Sequence, residues 1–255
     1  MNNQATITLD EYNFFQRNGY LVKKQFIQSH KVEKLQNKVI EHLEKRIMPF
    51  ELEQEVHYPG SPKTKNEIGG DTIRRLLFAH MRDDLFKKWQ LNKNATAIIK
   101  GLFHSKELFL VQSHHNCIMT KQPRYSSVTN WHKDTRYWNF DNQQLINTWL
   151  PLGNETLENG CLLVIPGSHL WDTPQECLDE RLFLRKDLIE NLPWLDKAIP
   201  VELHKGDLLI FHANLFHAAG RNNTETSKNA IVSTYHCEKN HEIKSPYPEL
   251  ETIFI

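Results

Sequence analysis

The sequence has no excess of charge of either sign, and it has few cysteines. Lys and Arg together number 31, and Asp and Glu also number 31, so the formal net charge is zero. A protein without a basic field has no general attraction for nucleic acid, and we expect no nucleic-acid partner. The four cysteines form no Cys-x-x-Cys pair, which argues against a zinc site and a disulfide scaffold and favours a reducing compartment.

Long hydrophobic runs are also absent. No stretch of about 18 apolar residues occurs, so the sequence predicts no transmembrane helix. Residues 1–6 show no charged region followed by an apolar run, and we therefore expect no signal peptide. Together these absences favour a cytoplasmic globular protein.

The length suits one domain over residues 1–255, with a helical N-terminal part at about 1–105 and a β-rich core at about 106–240. Capping residues and the spacing of apolar residues predict four helices in the N-terminal part, beginning near Thr8 and Ser29 and covering 72–90 and 93–102. A short strand is expected at 20–22, and residues 57–71 are rich in turn formers and should be irregular.

From Leu108 onward, short β-like runs replace the helical pattern. Turn residues separate these runs, which lie at 108–111, 116–120, 146–150, 161–165, 201–203, 207–211 and 230–236, with a helical insert near 174–192. Such spacing is typical of a jelly roll or cupin-like double sheet. The predicted fold class is therefore mainly β with flanking helices.

Three His-x-Asp/Glu patterns are candidates for metal binding: His42/Glu44, His132/Asp134 and His236/Glu238. The first lies in a predicted helix, where residues two apart point to different sides, and it should form a solvated face. In a strand, residues two apart share a face and can converge on one ion. The second pair is therefore preferred, and the third remains a rival.

A second histidine lies far downstream, in Phe211-His-Ala-Asn-Leu-Phe-His217. Two histidines and one carboxylate can hold one face of an octahedral Fe(II) and leave the other positions open for a cosubstrate, oxygen or water. His132, Asp134 and His217 are the candidate set. His212 is a competitor, and His217 can alternatively be a histidine satisfied by hydrogen bonds at a strand end.

Three longer segments resemble the phytanoyl-CoA dioxygenase family: Trp131-His-Lys-Asp134, Trp149 through Glu158-Asn-Gly-Cys161 to Pro166-Gly-Ser-His169, and Lys205-Gly-Asp207. The resemblance implies a double-stranded β-helix that uses Fe(II), 2-oxoglutarate and O2 in a hydroxylation reaction. It also implies that His132, Asp134 and His217 are the iron ligands.

The same resemblance suggests residues for 2-oxoglutarate. Asn222 matches a family asparagine, and Trp149 and Lys121 match pocket residues, although both can equally be structural. Lys228 stands where the family has the arginine that pairs with the far carboxylate of 2-oxoglutarate. A lysine neutralises a carboxylate as a point charge but lacks the bidentate fork of arginine, so Arg221 is a second candidate.

Candidate substrate residues are basic and aromatic: Arg74, Arg75, Arg136, Tyr137 and Trp138. They suit an anionic, hydroxylated substrate. The segments around them resemble a bacterial branch of the family that includes hydroxylases of Kdo, the acidic sugar of the lipopolysaccharide inner core. This resemblance implies a small-molecule or glycolipid substrate, the latter met by peripheral contact at the inner face of the inner membrane.

Each of these interpretations has an alternative. Arg74 and Arg75 can instead form surface ion pairs with Asp83, Asp84 or Glu67. The whole chain can instead be a cupin-like metal-binding protein without 2-oxoglutarate chemistry, acting as an isomerase, a hydrolase or a non-catalytic binder. Lysine in place of arginine at position 228 is the best support for that alternative, which predicts no 2-oxoglutarate binding.

Overall fold

The structure is a computed structural model that describes residues 6–58, 60–243, 250 and 252–255. The segment examined for a signal peptide therefore lies almost wholly outside the described residues, as does Pro59 of the turn-rich segment. The helices are α1 (Leu9–Asn18), α2 (Ser29–Glu44), α3 (Ala79–Arg82), α4 (Asp84–Gln90), α5 (Lys93–Phe103) and α6 (Leu192–Leu195).

The strands are β1 (Tyr20–Lys23), β2 (Phe50–Leu52), β3 (Ile73–Leu77), β4 (Leu108–Lys121), β5 (Thr129–His132), β6 (Ile146–Pro151), β7 (Leu162–Val164), β8 (Ile199–Val201), β9 (Leu208–His212), β10 (His217–Ala219), β11 (Lys228–Cys237) and β12 (Ile253–Phe254). They form an eight-stranded sheet in the order β1-β9-β6-β11-β4-β3-β2, with β12 against β4, and a four-stranded sheet in the order β5-β10-β7-β8.

Every strand pair is antiparallel, and the two sheets pack face to face over a shared apolar layer. That layer joins Trp149, Leu209 and Val232 of the large sheet to Leu162 and Val164 of the small one. This arrangement is a jelly roll, which confirms the predicted double-stranded β-helix with flanking helices. A single domain over 1–255 stays a prediction.

The helices cover the other face of the large sheet. Side chains of a strand alternate between its two faces, and β11 shows this directly: Val232 joins the layer between the sheets, whereas Ile231 joins the core beneath the helices. That second core takes Val32 of α2 and Phe86 of α4. The helices therefore support the sheet from behind and leave its inner face for the site.

Three of the predicted helices are confirmed. Thr8 and Glu11 form a capping box at the start of α1, and Gly19 ends that helix with a positive φ of 77°. The helices predicted from Ser29 and at 93–102 are α2 and α5. The strand predicted at 20–22 is β1, which pairs with β9.

The helix predicted over 72–90 is wrong. Residues 73–77 form β3, which lies between β2 and β4, and only α3 and α4 follow it. Phe78 has a left-handed backbone conformation with φ 53°, which separates β3 from α3. Asp83 is extended and caps the N-terminus of α4. Pairing with β2 and β4 overrides the local helical pattern because it provides hydrogen-bond partners for the backbone of a largely buried segment.

The helical insert predicted near 174–192 is also wrong. It contains two short 3₁₀ turns, Gln175–Cys177 and Ile189–Asn191, and a bridge between Leu178 and Leu184. The buried Asn191 amide donates to the carbonyls of Cys177 and Arg185. The insert is thus an irregular loop held by side-chain hydrogen bonds, a type of structure that apolar periodicity does not report.

The two β runs predicted at 108–111 and 116–120 belong to the one strand β4. Its register against β11 jumps from Val111 to Asn116, so residues 112–115 bulge out of the ladder. His114 lies in this bulge with φ 48°. Bulges re-aim side chains next to functional sites, and this one matters for the metal centre described below.

None of the helices within the described residues has the length and apolar character needed to cross a bilayer.

The central position of β11 makes the fold sensitive to a cavity there. Ile231 is fully buried, opposite Ile118 and Leu150. We expect Ile231→Ala to lower the free energy of unfolding by about 2–5 kcal/mol, and Ile231→Val by about 0.5–1.5 kcal/mol. Chemical denaturation measures both. Ile68→Ala, at a position that is 82% exposed, is the control and should change stability by less than about 0.5 kcal/mol.

Candidate metal centre

Two histidines face each other across the small sheet. Strands β5 and β10 pair so that His132 lies directly opposite His217, and their ring centroids are 4.3 Å apart. Nδ1 of His132 is 2.8 Å from the carbonyl of Asn130, and Nδ1 of His217 is 3.0 Å from that of Leu215. A carbonyl only accepts, so each Nδ1 carries the proton and each Nε2 keeps a free lone pair, as a metal ligand requires.

Asp134 completes the group from a different element. It begins the 3₁₀ turn Asp134–Tyr137, and its backbone N–H donates to the carbonyl of Ala213 at 2.7 Å. Its Oδ1 lies 3.3 Å from Nε2 of His132 and 3.4 Å from Nε2 of His217. This is the one group of three potential metal ligands found among the described residues, with all its ligand atoms within 4.8 Å of one another.

The two carboxylate oxygens of Asp134 have different surroundings. Oδ2 accepts a hydrogen bond from Nδ2 of Asn147 at 2.7 Å and lies 3.1 Å from Nδ1 of His115. Asn147 is itself fixed by the Thr234 hydroxyl at 2.5 Å. Oδ1 is fully buried and has no hydrogen-bond partner. A buried carboxylate oxygen without a donor is costly, and a metal ion beside the two free Nε2 atoms satisfies it. The residues therefore fit Fe(II).

The electrostatics of the group also suit a cation. Burial alone would raise the pKa of Asp134, but the imidazoles of His115 and His217 hold it well below its ordinary value. Burial and the neighbouring His217 lower the pKa of His132 to about 4. Metal binding requires an ionised carboxylate and neutral imidazoles. The site supplies an anionic carboxylate and, at His132, a neutral ring.

The rival histidines lie elsewhere. His236 stacks on Phe109 and bonds to backbone carbonyls, while Glu238 bonds to Ser105. His212 accepts from the backbone of Asn214. The solvated face predicted for the helical pair is wrong for His42, which is buried against Phe86 because α2 packs on α4.

A cavity of about 250 Å³ opens beside the two histidines, between the sheets. Its apolar walls include Trp149, Leu162, Phe211 and Val232, and its polar lining is mainly cationic, with Arg74, Arg75, Lys121, Arg136, Arg181 and Lys228 against Glu51 and Glu55. A cavity lined in this way favours an anionic ligand over a neutral one of similar shape.

The lysines predicted for the cosubstrate lie together. Lys228 and Lys121 are direct cross-strand partners of β11 and β4, and both are buried and line the cavity. Nζ of Lys228 lies 5.0 Å from the ring centroid of Trp149 and 3.1 Å from Oε2 of Glu155. Nζ of Lys121 donates to the carbonyl of Ser127 at 2.9 Å.

Three other predicted residues do not line the cavity. Asn222 is buried, and its amide donates to the carbonyls of Lys121 and Thr226, so it holds the end of β4 in place. Trp138 packs against the bulge of β4 and donates to Ser113. Arg221 is exposed. Of the two candidates for the far carboxylate, the structure brings Lys228 and not Arg221 to the cavity.

The predicted substrate arginines differ in how they are paired. Arg74 lies 3.4 Å from Glu53 and donates to Ser127 and Thr129, and Arg75 pairs with Glu51 at 2.5 Å. The alternative partners Asp83, Asp84 and Glu67 are therefore wrong, because the glutamates at 51 and 53, next to β3, pair with the two arginines.

Arg136 is different, because it lies in no ion pair of the described residues. It stacks on Phe183 at 4.1 Å and on Tyr137 at 5.3 Å, and its buried Nη1 has no hydrogen-bond partner. The phenol of Tyr137 lies 3.2 Å from that of Tyr58. Arg136 and the two tyrosines all line the cavity.

Sequence reasoning missed His115, Asn147, Glu155 and Tyr58. His115 lies in the β4 bulge, and the break between two predicted β runs was its only signal. Asn147 and Glu155 are polar residues within or just after an apolar strand, and both are buried. A buried polar residue needs a partner, but the sequence does not say which.

Comparison with known proteins decides the family. A model of the family "Phytanoyl-CoA dioxygenase (PhyH)" matches residues 15–230. The chain belongs to this family. It is 24% identical over 264 residues to phytanoyl-CoA dioxygenase 1 of Oryza sativa subsp. japonica, covering 92% of each chain, and 24% identical to the peroxisomal human enzyme, covering 88% of this chain and 67% of that one.

A solved structure shares the fold. EctD from S. alaskensis with 2-oxoglutarate and 5-hydroxyectoine superposes with a TM-score of 0.76 at 18% identity, covering 97% of this chain and 84% of that one. The family assignment and the His–Asp–His group together make this protein a 2-oxoglutarate-dependent non-haem iron oxygenase. Its cofactors are Fe(II), 2-oxoglutarate and O2.

The hydrogen bond from Asn147 leads to a prediction about metal affinity. Asn147→Ala leaves Oδ2 of Asp134 without its amide donor, and the carboxylate is then free to rotate. We expect the affinity for Fe(II) or Mn(II) to fall about 10–100-fold, measured by anaerobic equilibrium titration. Asn191→Ala, which removes an equally buried amide from the irregular insert, should leave metal affinity within twofold; equal losses in both variants would contradict the assignment.

Proposed function

We propose that the protein is a hydroxylase in which His132, Asp134 and His217 hold Fe(II) and Lys228 binds the far carboxylate of 2-oxoglutarate. The single observation that carries the proposal is the buried Oδ1 of Asp134, which lacks a donor and lies within 3.4 Å of two free Nε2 atoms. Bound iron supplies the oxidative chemistry that places an oxygen atom from O2 into a C–H bond.

The chain contributes geometry and exclusion of water. The carbonyls of Asn130 and Leu215 hold the two imidazoles in one tautomer, and Asn147 directs Oδ1 of Asp134 towards them. His132, Asp134 and His217 are all buried. A preorganised, water-excluded group of this kind pays little reorganisation when a cosubstrate arrives.

The side chains that the large sheet places in the cavity support 2-oxoglutarate binding. Lys228 and Lys121 bring their Nζ atoms from neighbouring strands, and Trp149 forms an apolar wall of the same cavity. A dicarboxylate with one end at the metal and the other on a lysine matches this distribution of charge. Lysine suffices here because burial strengthens its interaction with a carboxylate, even without the fork of an arginine.

An anaerobic titration tests the cosubstrate site. Fe(II) and 2-oxoglutarate should together produce the weak visible charge-transfer band of a chelated 2-oxo acid in the wild-type protein. Asp134→Ala should abolish the band. Lys228→Ala should raise the Kd of 2-oxoglutarate at least about tenfold, the value of one lost charge-assisted hydrogen bond. Lys186→Ala, at an exposed lysine of the insert, is the control. No band in the wild type would favour the metal-binding alternative without 2-oxoglutarate chemistry.

For the substrate we propose an anionic small molecule with hydroxyl groups. Arg136 supports this choice, because its buried Nη1 lacks a partner while its guanidinium is held between aromatic rings. The phenols of Tyr58 and Tyr137 lie near it and suit sugar hydroxyls. The Kdo sugar of lipopolysaccharide fits this description, and a lipid-linked form would bring the enzyme to a membrane surface by peripheral contact.

Substrate charge can be tested directly. Free Kdo should stimulate succinate formation from 2-oxoglutarate, whereas its neutral methyl ester should not. Arg136→Gln should raise the KM for the acid about 10–100-fold, because a buried charged hydrogen bond is lost, and it should leave the Kd of 2-oxoglutarate unchanged. Arg185→Gln, at a surface pair with Asp187, is the matched control. Equal stimulation by acid and ester would rule out recognition of the carboxylate, and no stimulation by either would reject Kdo.

A further inference from the structure

Glu155 is a buried carboxylate that the proposed reaction does not use. It is 1% exposed, and it is absent from the lining of the cavity. Its backbone N–H and carbonyl bond to Leu203, at 2.8 and 3.0 Å. A buried carboxylate that contacts neither metal nor cavity is expensive unless it is fully paired, so its partners show what it does.

Both oxygens of Glu155 hold residues of the cosubstrate pocket. Oε1 accepts from the indole Nε1 of Trp149 at 2.9 Å, and Oε2 lies 3.1 Å from Nζ of Lys228. The same Nζ lies over the ring of Trp149. Glu155 thus fixes the Trp149 ring and the Lys228 ammonium relative to each other, from a position outside the cavity lining.

The position of Glu155 leaves Lys228 free to bind a second carboxylate. An ammonium has three donors, and Glu155 takes one of them. Because Glu155 is not part of the cavity lining, it does not occupy the space that a ligand would fill. Lysine has a flexible four-carbon side chain. Because Glu155 already holds one donor, binding a ligand costs less of the side chain's conformational entropy.

We infer that Glu155 is a positioning residue for the cosubstrate, holding the Lys228 ammonium against Trp149 so that its remaining donors face the far carboxylate of 2-oxoglutarate. This inference rests on the proposed role of Lys228. In this role Glu155 orients the ammonium of Lys228 towards the carboxylate, whereas an arginine is oriented by its own planar fork. The pair of Glu155 and Lys228, and not the lysine alone, then replaces the arginine.

The charge balance around Lys121 agrees with this role. Lys121 is faced by Arg74 of β3, Lys228 of β11, Glu53 after β2 and Glu155 after β6. Burial, Arg74 and Lys228 lower the pKa of Lys121 well below its ordinary value, and Glu53 and Glu155 oppose that fall. Loss of the Glu155 charge therefore lowers the pKa of Lys121 further and favours its neutral form. We expect 2-oxoglutarate binding in Glu155→Gln to weaken as pH rises and to recover as pH falls.

A calorimetric titration of 2-oxoglutarate into the anaerobic Fe(II) protein tests the inference. Glu155→Gln keeps an acceptor for the Trp149 indole but removes the ion pair. Its Kd for 2-oxoglutarate should rise about tenfold, while Fe(II) affinity stays within twofold. Asp207→Asn is the control, since Asp207 is an equally buried carboxylate that pairs with Lys24 away from the cavity. It should lower Tm yet leave the Kd unchanged.

A double-mutant cycle asks whether Glu155 acts through Lys228. Lys228→Met alone leaves the buried carboxylate of Glu155 without its ion pair and should lower Tm, so its Kd is measured at a temperature at which circular dichroism shows it folded. The double variant Glu155→Gln/Lys228→Met has no such carboxylate. If the inference holds, adding Glu155→Gln to Lys228→Met changes the Kd by less than twofold, because the two effects are not additive. An additive tenfold loss would overturn it.

The outcomes separate the two proposals. No binding of 2-oxoglutarate by the wild type means that the proposed function fails. Normal binding by the double variant means that Lys228 is not the anchor, and the inference falls with it. Unchanged or tighter binding by Glu155→Gln, in a protein whose binding does depend on Lys228, overturns the inference about Glu155 alone.

Discussion

The burial of the Asp134 carboxylate is the constraint on which the rest of the site depends. An ionised carboxylate without solvent costs several kcal/mol unless it is paired and hydrogen-bonded. Here Asn147 and His115 surround one oxygen, while the other is left facing the two histidines. The pairing of β5 with β10 places His132 opposite His217, beside this second oxygen. The neighbouring imidazoles already hold the pKa of this carboxylate low, and a bound cation would satisfy its remaining oxygen.

Much of the fold could be predicted from the sequence, because the signals were local. Capping residues marked α1, and short β runs marked β1, β4, β6, β9 and β11 of the large sheet and β7 of the small sheet, whereas no run was predicted for β5 or β10. The two wrong helix predictions have physical causes that a local sequence pattern does not report. The segment 73–77 has no clear alternation, since it is buried through pairing with β2 and β4. The insert at 174–192 is held by hydrogen bonds of a buried asparagine, which no periodicity reveals.

The site was predictable in its ligands but not in its geometry. His132 and Asp134 were expected to converge because alternate residues share a strand face. In the structure β5 ends at His132, and Asp134 begins a 3₁₀ turn whose N–H bonds to Ala213. The convergence therefore comes from the turn and its anchor, not from strand alternation. His115 reaches Asp134 because it lies in the bulge of β4. Sequence spacing does not predict a contact between two segments that the fold brings together.

The cavity separates charges that are already matched from charges that are not. Arg74, Arg75 and Lys228 each have a glutamate partner, so most of their field is cancelled inside the protein. Among the described residues, Lys121, Arg136 and Arg181 of the cavity lining lie in no ion pair. Lys121 and Arg181 donate to backbone carbonyls, whereas the buried Nη1 of Arg136 has no hydrogen-bond partner. Lys121 lies beside Lys228, and Arg136 lies among aromatic rings. Desolvated, unpaired charge discriminates most strongly between ligands. The unpaired Nη1 of Arg136 is therefore the group best suited to select the substrate, whereas Lys228, held by Glu155, is the anchor proposed for the cosubstrate.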